Sequence, residues 1–137
     1  MEIRLAIVIS DDMTLPAWEA RMLGELGKLG AVSGIAFITS QKKEIPESSQ
    51  FYRLFSRFEN WWFGDENDAF KEISIVAREN YPVFNSGDTN AIAEFSPDII
   101  YHSCLVKVEE WIFTPKYGRW EIRFGAGEYA NSTVPAF

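Results

Sequence analysis

The sequence predicts an α/β fold built on a mostly parallel sheet. Three observations carry that expectation. Arg4 to Ile9 is a strand-like segment, unbroken aliphatic and β-branched from Leu5 onward, the pattern of a strand covered on both faces. A helical repeat of apolar residues follows it directly, and strand-like and helix-like segments then alternate as far as the last strand-like run, Tyr117 to Gly125. With 137 residues, 47% of them apolar and 15% aromatic, the chain is expected to form one domain spanning 1–137. Roughly two-thirds of the unfolded surface can be buried at that size.

The elements follow in order. Arg4 to Ile9 is expected to be the central strand. Thr14 then caps a helix whose first turn accepts Pro16, and Leu15, Trp18, Met22, Leu26 and Leu29 recur at helical spacing until Gly30 stops it. Gly24 and Gly27 inside that helix cost roughly 1 kcal/mol each relative to Ala, so close packing against the sheet is expected at both. Ala31 to Thr39 makes the second strand, and Ser40 to Ser49 is a polar loop. Ser48 or Ser49 starts a second helix, in which Phe51, Leu54, Phe55, Phe58 and Trp62 share one face. Trp61 lies about 100° around that helix from Trp62, so one of the two is expected to meet a second surface, such as another copy in a homo-oligomer. Beyond the acidic turn Gly64 to Asp68, Glu72 to Ala77 and Tyr81 to Phe84 offer two short strands. Asp88 or Thr89 caps a helix carrying Ile92, Ala93 and Phe95, and Pro97 follows its end. Asp98 to Cys104 returns to the sheet, Glu109 to Phe113 forms a short helix, and Arg119 to Phe124 is the final strand.

Composition removes several functions. A net charge of -7 argues against nucleic acid as a partner, since a phosphate-backbone binder needs a basic face. The longest apolar run, Leu5 to Ile9, is far too short to span a bilayer, and nothing near Ile3 reads as a signal peptide, so a cytoplasmic location is expected. Cys104 stands alone, which fits a reducing compartment and excludes a disulfide scaffold or a cysteine-rich metal site. No residue spacing of a metal centre is present.

The candidate chemistry sits where strands end. The segment after the first strand, ISDDMTLPAW, has carboxylates where a phosphate would want glycine backbone donors. Ser10, Asp11 and Asp12 there would orient a sugar hydroxyl or an amine, or alternatively form an acidic turn that favours the following helix dipole. His102 lies beside Ser103 and Cys104 in the penultimate strand, either as a hydrogen-bonded structural histidine or as part of a site at the strand end. His102 and Cys104 would share a strand face but lack a third, orienting group, so no nucleophilic triad can be drawn. Arg53 and Arg57 read as the solvated edge of an amphipathic helix. In the final strand Glu121 and Arg123 alternate with Trp120, Ile122 and Phe124, which puts both charges on one side, as a weak edge ion pair or facing a cleft.

Three stretches carry a family resemblance: ISDDMTLPAWEARMLGEL, FYRLFSRFEN, and SPDIIYHSC followed by KYGRWEIRFG and VPAF. Together they resemble the amino-terminal half of formyltransferase-like proteins, the relatives of methionyl-tRNA and glycinamide-ribonucleotide formyltransferases. The resemblance implies a three-layer sandwich with a mostly parallel, Rossmann-like sheet. It implies 10-formyltetrahydrofolate as cofactor near the end of the strand Asp98 to Leu105, held by Tyr101, His102, Ser103, Cys104 and Leu105, and transfer of its formyl group to an amino group of a small, sugar-like substrate bound near Ser10, Asp11 and Asp12. The family places an Asn and a His two residues apart on the next strand, with an Asp from a later one. Here Glu121 and Arg123 stand near the first two positions, and the chain ends at Phe137 before any counterpart of the third, so the resemblance implies a domain truncated at its C-terminus. Both substitutions matter, because a guanidinium stays protonated and cannot act as the base, and a carboxylate offers no amide donor. The sequence therefore leaves two expectations: a formyltransferase-like domain with altered catalytic residues, or a non-catalytic α/β domain that binds a ligand or oligomerises.

Overall fold

A computed structural model describes residues 2–42, 54, 57, 58, 61, 62, 71–75, 81–107 and 114–122. In chain order the elements are β1 (Ile3–Ser10), β2 (Thr14–Pro16), α1 (Ala17–Lys28), β3 (Val32–Ser40), β4 (Glu72–Ser74), β5 (Val83–Asn85), α2 (Thr89–Phe95), β6 (Ile99–His102) and β7 (Arg119–Glu121). The expected helix at Glu109 to Phe113 lies outside the described residues.

Residues Leu5 to Ser10 of β1 are all buried, so this strand needs a neighbour on each edge and a layer on each face. β3 and β6 supply the edges, both parallel to it. β5 and β7 extend the sheet outward, giving five parallel strands in the order β5-β3-β1-β6-β7. Side chains alternate across a strand, and the core divides accordingly. Leu5, Ile7 and Ile9 join Phe37, Ile99 and Tyr101 in one cluster with Leu23 of α1. Ala6 and Val8 join Ile38 and Ile100 in another with Ile92 of α2. The two helices thus cover opposite faces of an α/β domain.

The expected helix start is corrected. Thr14 to Pro16 pair with β4 in a separate antiparallel ladder, and the Ala17 N–H donates to the Lys71 carbonyl at 2.9 Å. Cross-strand pairing occupies the backbone that a first helical turn would use, and Pro16 becomes the N-cap residue without any side-chain cap. Of the expected apolar stripe, Leu15, Met22 and Leu26 belong to or pack against the first cluster, whereas Glu19 and Leu23 are the buried residues of α1 and Leu29 is exposed. Gly30 ends the helix as expected, at a positive φ of 51°. Asp88 caps α2 by accepting from the Ala91 N–H at 3.2 Å.

The expected close packing at two glycines is corrected. Among the described residues no atom lies within 4 Å of a Cβ placed at Gly24, and one at Gly27 would meet Ile35 Cδ1 at an ordinary 3.8 Å, so neither glycine marks a close approach. Leu54, Phe58, Trp61 and Trp62 are helical, but all are exposed, Trp61 to 75% and Trp62 to 64%. Their rings rest on one another, with the Phe58, Trp61 and Trp62 centroids 6.0 to 6.1 Å apart. No described helix is long and apolar enough to cross a membrane.

Ile100, fully buried in β6, tests the second cluster. Ile100→Ala is expected to lower unfolding free energy in urea by about 2–5 kcal/mol, through lost burial and the void left behind.

Candidate functional site

The chain builds outward from β1 through β3 to β5, then returns to the other side of β1 with β6 and β7. Ligands of open α/β sheets bind beyond the carboxyl ends of the strands where the order reverses, which here is the gap between β1 and β6. The buried polar side chains gather at that edge. Ser10 and Ser40 are the last residues of β1 and β3 and lie in register, His102 ends β6, Ser103 follows it, and Glu19 sits in the first turn of α1. These residues are the buried polar set among the described part of the chain.

Glu19 is 0% exposed and accepts three hydrogen bonds. The Tyr101 hydroxyl donates at 2.8 Å, the Ser103 hydroxyl at 2.5 Å and the Cys104 N–H at 2.9 Å. Burial pushes the Glu19 carboxyl above its ordinary value, and the bonds from Ser103, Cys104 and Tyr101 offset only part of that rise. Burial also raises Tyr101, with the adjacent Glu19 charge adding to the effect, so the phenol stays protonated and donates. The result is a clamp between α1 and the turn after β6.

A second cluster lies beyond the end of β1. The Lys42 ammonium donates to Glu72 Oε2 at 2.6 Å and to Asp12 Oδ2 at 3.1 Å. Asp12 also accepts from the hydroxyls of Ser10 and Thr14, the latter at 2.7 Å. The Ser10 bond is the first cause that holds the Asp12 carboxyl at about 2, with Thr14 and Lys42 adding to it. Lys42 is raised, chiefly by its bond to Glu72. Lys42 also bridges to Val106, and the Lys107 N–H donates to the Gln41 carbonyl at 3.2 Å. Because β1 lies between β3 and β6, these two following segments meet across its carboxyl end. Beneath that closure the hydroxyl of Ser40, 4% exposed, has no hydrogen-bond partner among the described residues.

The sequence-predicted residues separate into three places. Ser10 and Asp12 enter the Lys42 cluster, and Asp11 points to solvent. Tyr101, Ser103 and Cys104 converge on Glu19, with Leu105 buried beside them. His102 is buried on the opposite face from Tyr101, the face that Ile100 shares with α2. Glu121 is exposed and stands in register with His102 across the β6 and β7 pair. Tyr101 and Glu121 also line a groove of about 760 Å³ with Met22, Leu26, Arg119, Trp120 and Ile122. Arg123 lies outside the described residues. Sequence reasoning missed Glu19, Ser40, Lys42 and Glu72. Glu19 carried one weak signal, an acidic residue four positions before Leu23 on a helix face that turns inward; the other three sit in a strand end, a polar loop and a marginal strand.

Among the described residues no group of three or more His, Cys, Asp or Glu side chains could hold a metal ion. Comparison of the chain with protein-family models, with curated proteins and with solved structures returns no match.

The raised Glu19 fixes the sign of a pH effect. Its contribution to stability is fully present below the ordinary carboxyl value of 4.5 and is lost as pH rises through the elevated folded value. Glu19→Gln keeps an acceptor for Tyr101 and Cys104 and offers its amide to Ser103, so its melting temperature at pH 7 should equal or exceed that of the parent, without the parent's decline above pH 4.5. Glu19→Ala leaves those donors without their acceptor and should cost on the order of 3 kcal/mol. Melting curves of the three proteins across pH check both outcomes.

Proposed function

We propose that this chain is a cytoplasmic small-molecule-binding domain of the three-layer, Rossmann-like class, and that its ligand sits at the carboxyl ends of β1, β3 and β6. One observation carries the reading: Ser10, Glu19, Ser40, His102 and Ser103, the buried polar residues of the described chain, all lie at that edge. Burying a polar group costs free energy unless it is hydrogen-bonded, and a sheet packed for stability alone has no reason to concentrate that cost at the edge where its strand order reverses. The local charge indicates the ligand. Asp12 and Glu72 outnumber Lys42 in their cluster, and the segment after β1 lacks a glycine-rich loop, so a polar amine or sugar fits better than a phosphate. Titration with glucosamine at millimolar concentration, followed by amide chemical shifts, is expected to move Ser10 to Thr14, Gln41 and Ser103 to Leu105, with Glu72→Gln weakening the effect. No movement at those amides would remove the reading.

A second reading, formyl transfer from 10-formyltetrahydrofolate to an amino group, is favoured by the register of Glu121 with His102. Neighbouring strands lie about 4.8 Å apart, so the two residues are neighbours along the β6 and β7 pair. The imidazole would accept the proton of the attacking amine, and Glu121 would stabilise the imidazolium, so the base lost at Arg123 is regained one strand away. Tetrahydrofolate release with an amino sugar as acceptor should then exceed background and fall at least about a hundredfold in His102→Asn. A rate equal to background with the unaltered chain excludes transfer.

A further inference from the structure

We propose that the Lys42 side chain is a built-in occupant of an ammonium subsite, displaced by a small amino alcohol whose own ammonium takes its place while a neighbouring hydroxyl reaches Ser40; this rests on the binding of a ligand at the polar edge. The Lys42 ammonium donates to Glu72 Oε2 at 2.6 Å and to Asp12 Oδ2 at 3.1 Å. The three side chains come from the segment after β3, from β4 and from the turn after β1, and each is between 32% and 45% exposed, so a solute can reach them. The carboxylates are also held without Lys42. The Thr14 hydroxyl lies 2.7 Å from Asp12 Oδ1 and 3.3 Å from Glu72 Oε2, and the Ser10 hydroxyl donates to Asp12. Two carboxylates facing one ammonium therefore form a cation-binding pair whose placement outlasts the departure of that ammonium.

Ser40 supplies a second observation, independent of these charges. It is 4% exposed, and its hydroxyl has no hydrogen-bond partner among the described residues. Buried hydroxyls are nearly always bonded, and one left unpaired costs free energy, so this one calls for a partner. Ser40 is the register partner of Ser10. In-register residues of neighbouring strands leave the sheet on the same face about 4.8 Å apart, and the Ser10 hydroxyl already touches Asp12. The Ser40 hydroxyl thus stands about one strand spacing from the carboxylates, a gap that an ammonium and a hydroxyl on adjacent carbons bridge with one hydrogen bond at each end. Lys42 satisfies the two carboxylates and offers Ser40 no acceptor, whereas an amino alcohol satisfies all three. Exchange is easy, because ion pairs this exposed are weak and the Lys42 backbone stays in place through its bridge to Val106.

The full chain is to be titrated at constant ionic strength with glucosamine, propylamine and glucose, following by NMR the amides of Ser10 to Thr14 and Gln41 and the ε-methylene signal of Lys42. Glucosamine is expected to bind more tightly than either partial mimic, and the Lys42 signal should move as the amides saturate. Lys42→Met, which keeps the stem and removes the ammonium, should raise glucosamine affinity by about three- to tenfold. Ser40→Ala should shrink the preference for glucosamine over propylamine. A Lys42 signal that stays put at saturation overturns the proposal, as does an affinity that Lys42→Met leaves equal or lowers, or a preference that Ser40→Ala leaves intact. Should Lys42→Met not fold, the Lys42 signal of the unaltered chain decides. The two readings fail differently: no amide response in any protein removes ligand binding at the edge altogether, whereas saturable binding with Lys42 unmoved removes only its displacement.

Discussion

Six consecutive buried residues, Leu5 to Ser10, leave β1 no surface to give to water. Each of its edges must then be paired and each of its faces covered, and most of the architecture follows from meeting those demands. β3 and β6 satisfy the backbone on the two sides, α1 and α2 cover the alternating side chains, and the strand order must reverse beside β1 because the chain builds first to one side and then to the other. A reversal beside the central strand leaves a gap beyond its carboxyl end, and the buried polar groups stand around that gap.

The two polar clusters at this edge differ in kind. Glu19 lies where a charge is expensive, and three donors from β6 and the turn after it hold it there. Removing any one of them leaves the others facing an under-satisfied carboxyl, so the clamp links the orientation of α1 to the path of the chain beyond β6. Lys42 with Asp12 and Glu72 is half in water, where ion pairs contribute little to stability. A weak cluster of this kind can exchange an internal ammonium for that of a ligand at small expense, which the buried clamp cannot do.

Legibility in the sequence followed burial and locality. The strand Arg4 to Ile9 was readable because a strand covered on both faces needs an uninterrupted apolar run, and Asp88 was readable as a cap because its bond to Ala91 spans one turn. Gly30 was readable because a left-handed residue after a helix favours glycine. The pairing of Thr14 to Pro16 with Glu72 to Ser74 was not, since its partner lies 58 residues away and a threonine before a proline reads locally as a helix start. Of the candidate site, Ser10, Asp12, His102, Ser103 and Cys104 were singled out by their position at strand ends, and Tyr101 by the family resemblance alone. Glu19 was hidden because an acidic residue in a first helical turn has an ordinary explanation in the dipole, and only its contact with Tyr101 and Ser103, over 80 positions away, reveals a buried carboxyl.

By itself the sequence determined the α/β class, the central place of the first strand and the segments that end at the polar edge, because hydrophobic periodicity and turn chemistry act over a few residues. Which groups meet at that edge was decided by the tertiary structure alone. Lys42 faces Asp12 because β1 and β3 are in register, Glu121 is the strand neighbour of His102 because β6 and β7 pair, and Glu19 meets Tyr101 and Ser103 because α1 turns Leu23 and Glu19 inward. Each of these neighbours is set by strand register or helix rotation. Those quantities depend on packing across the whole domain and leave no trace in the spacing of nearby residues.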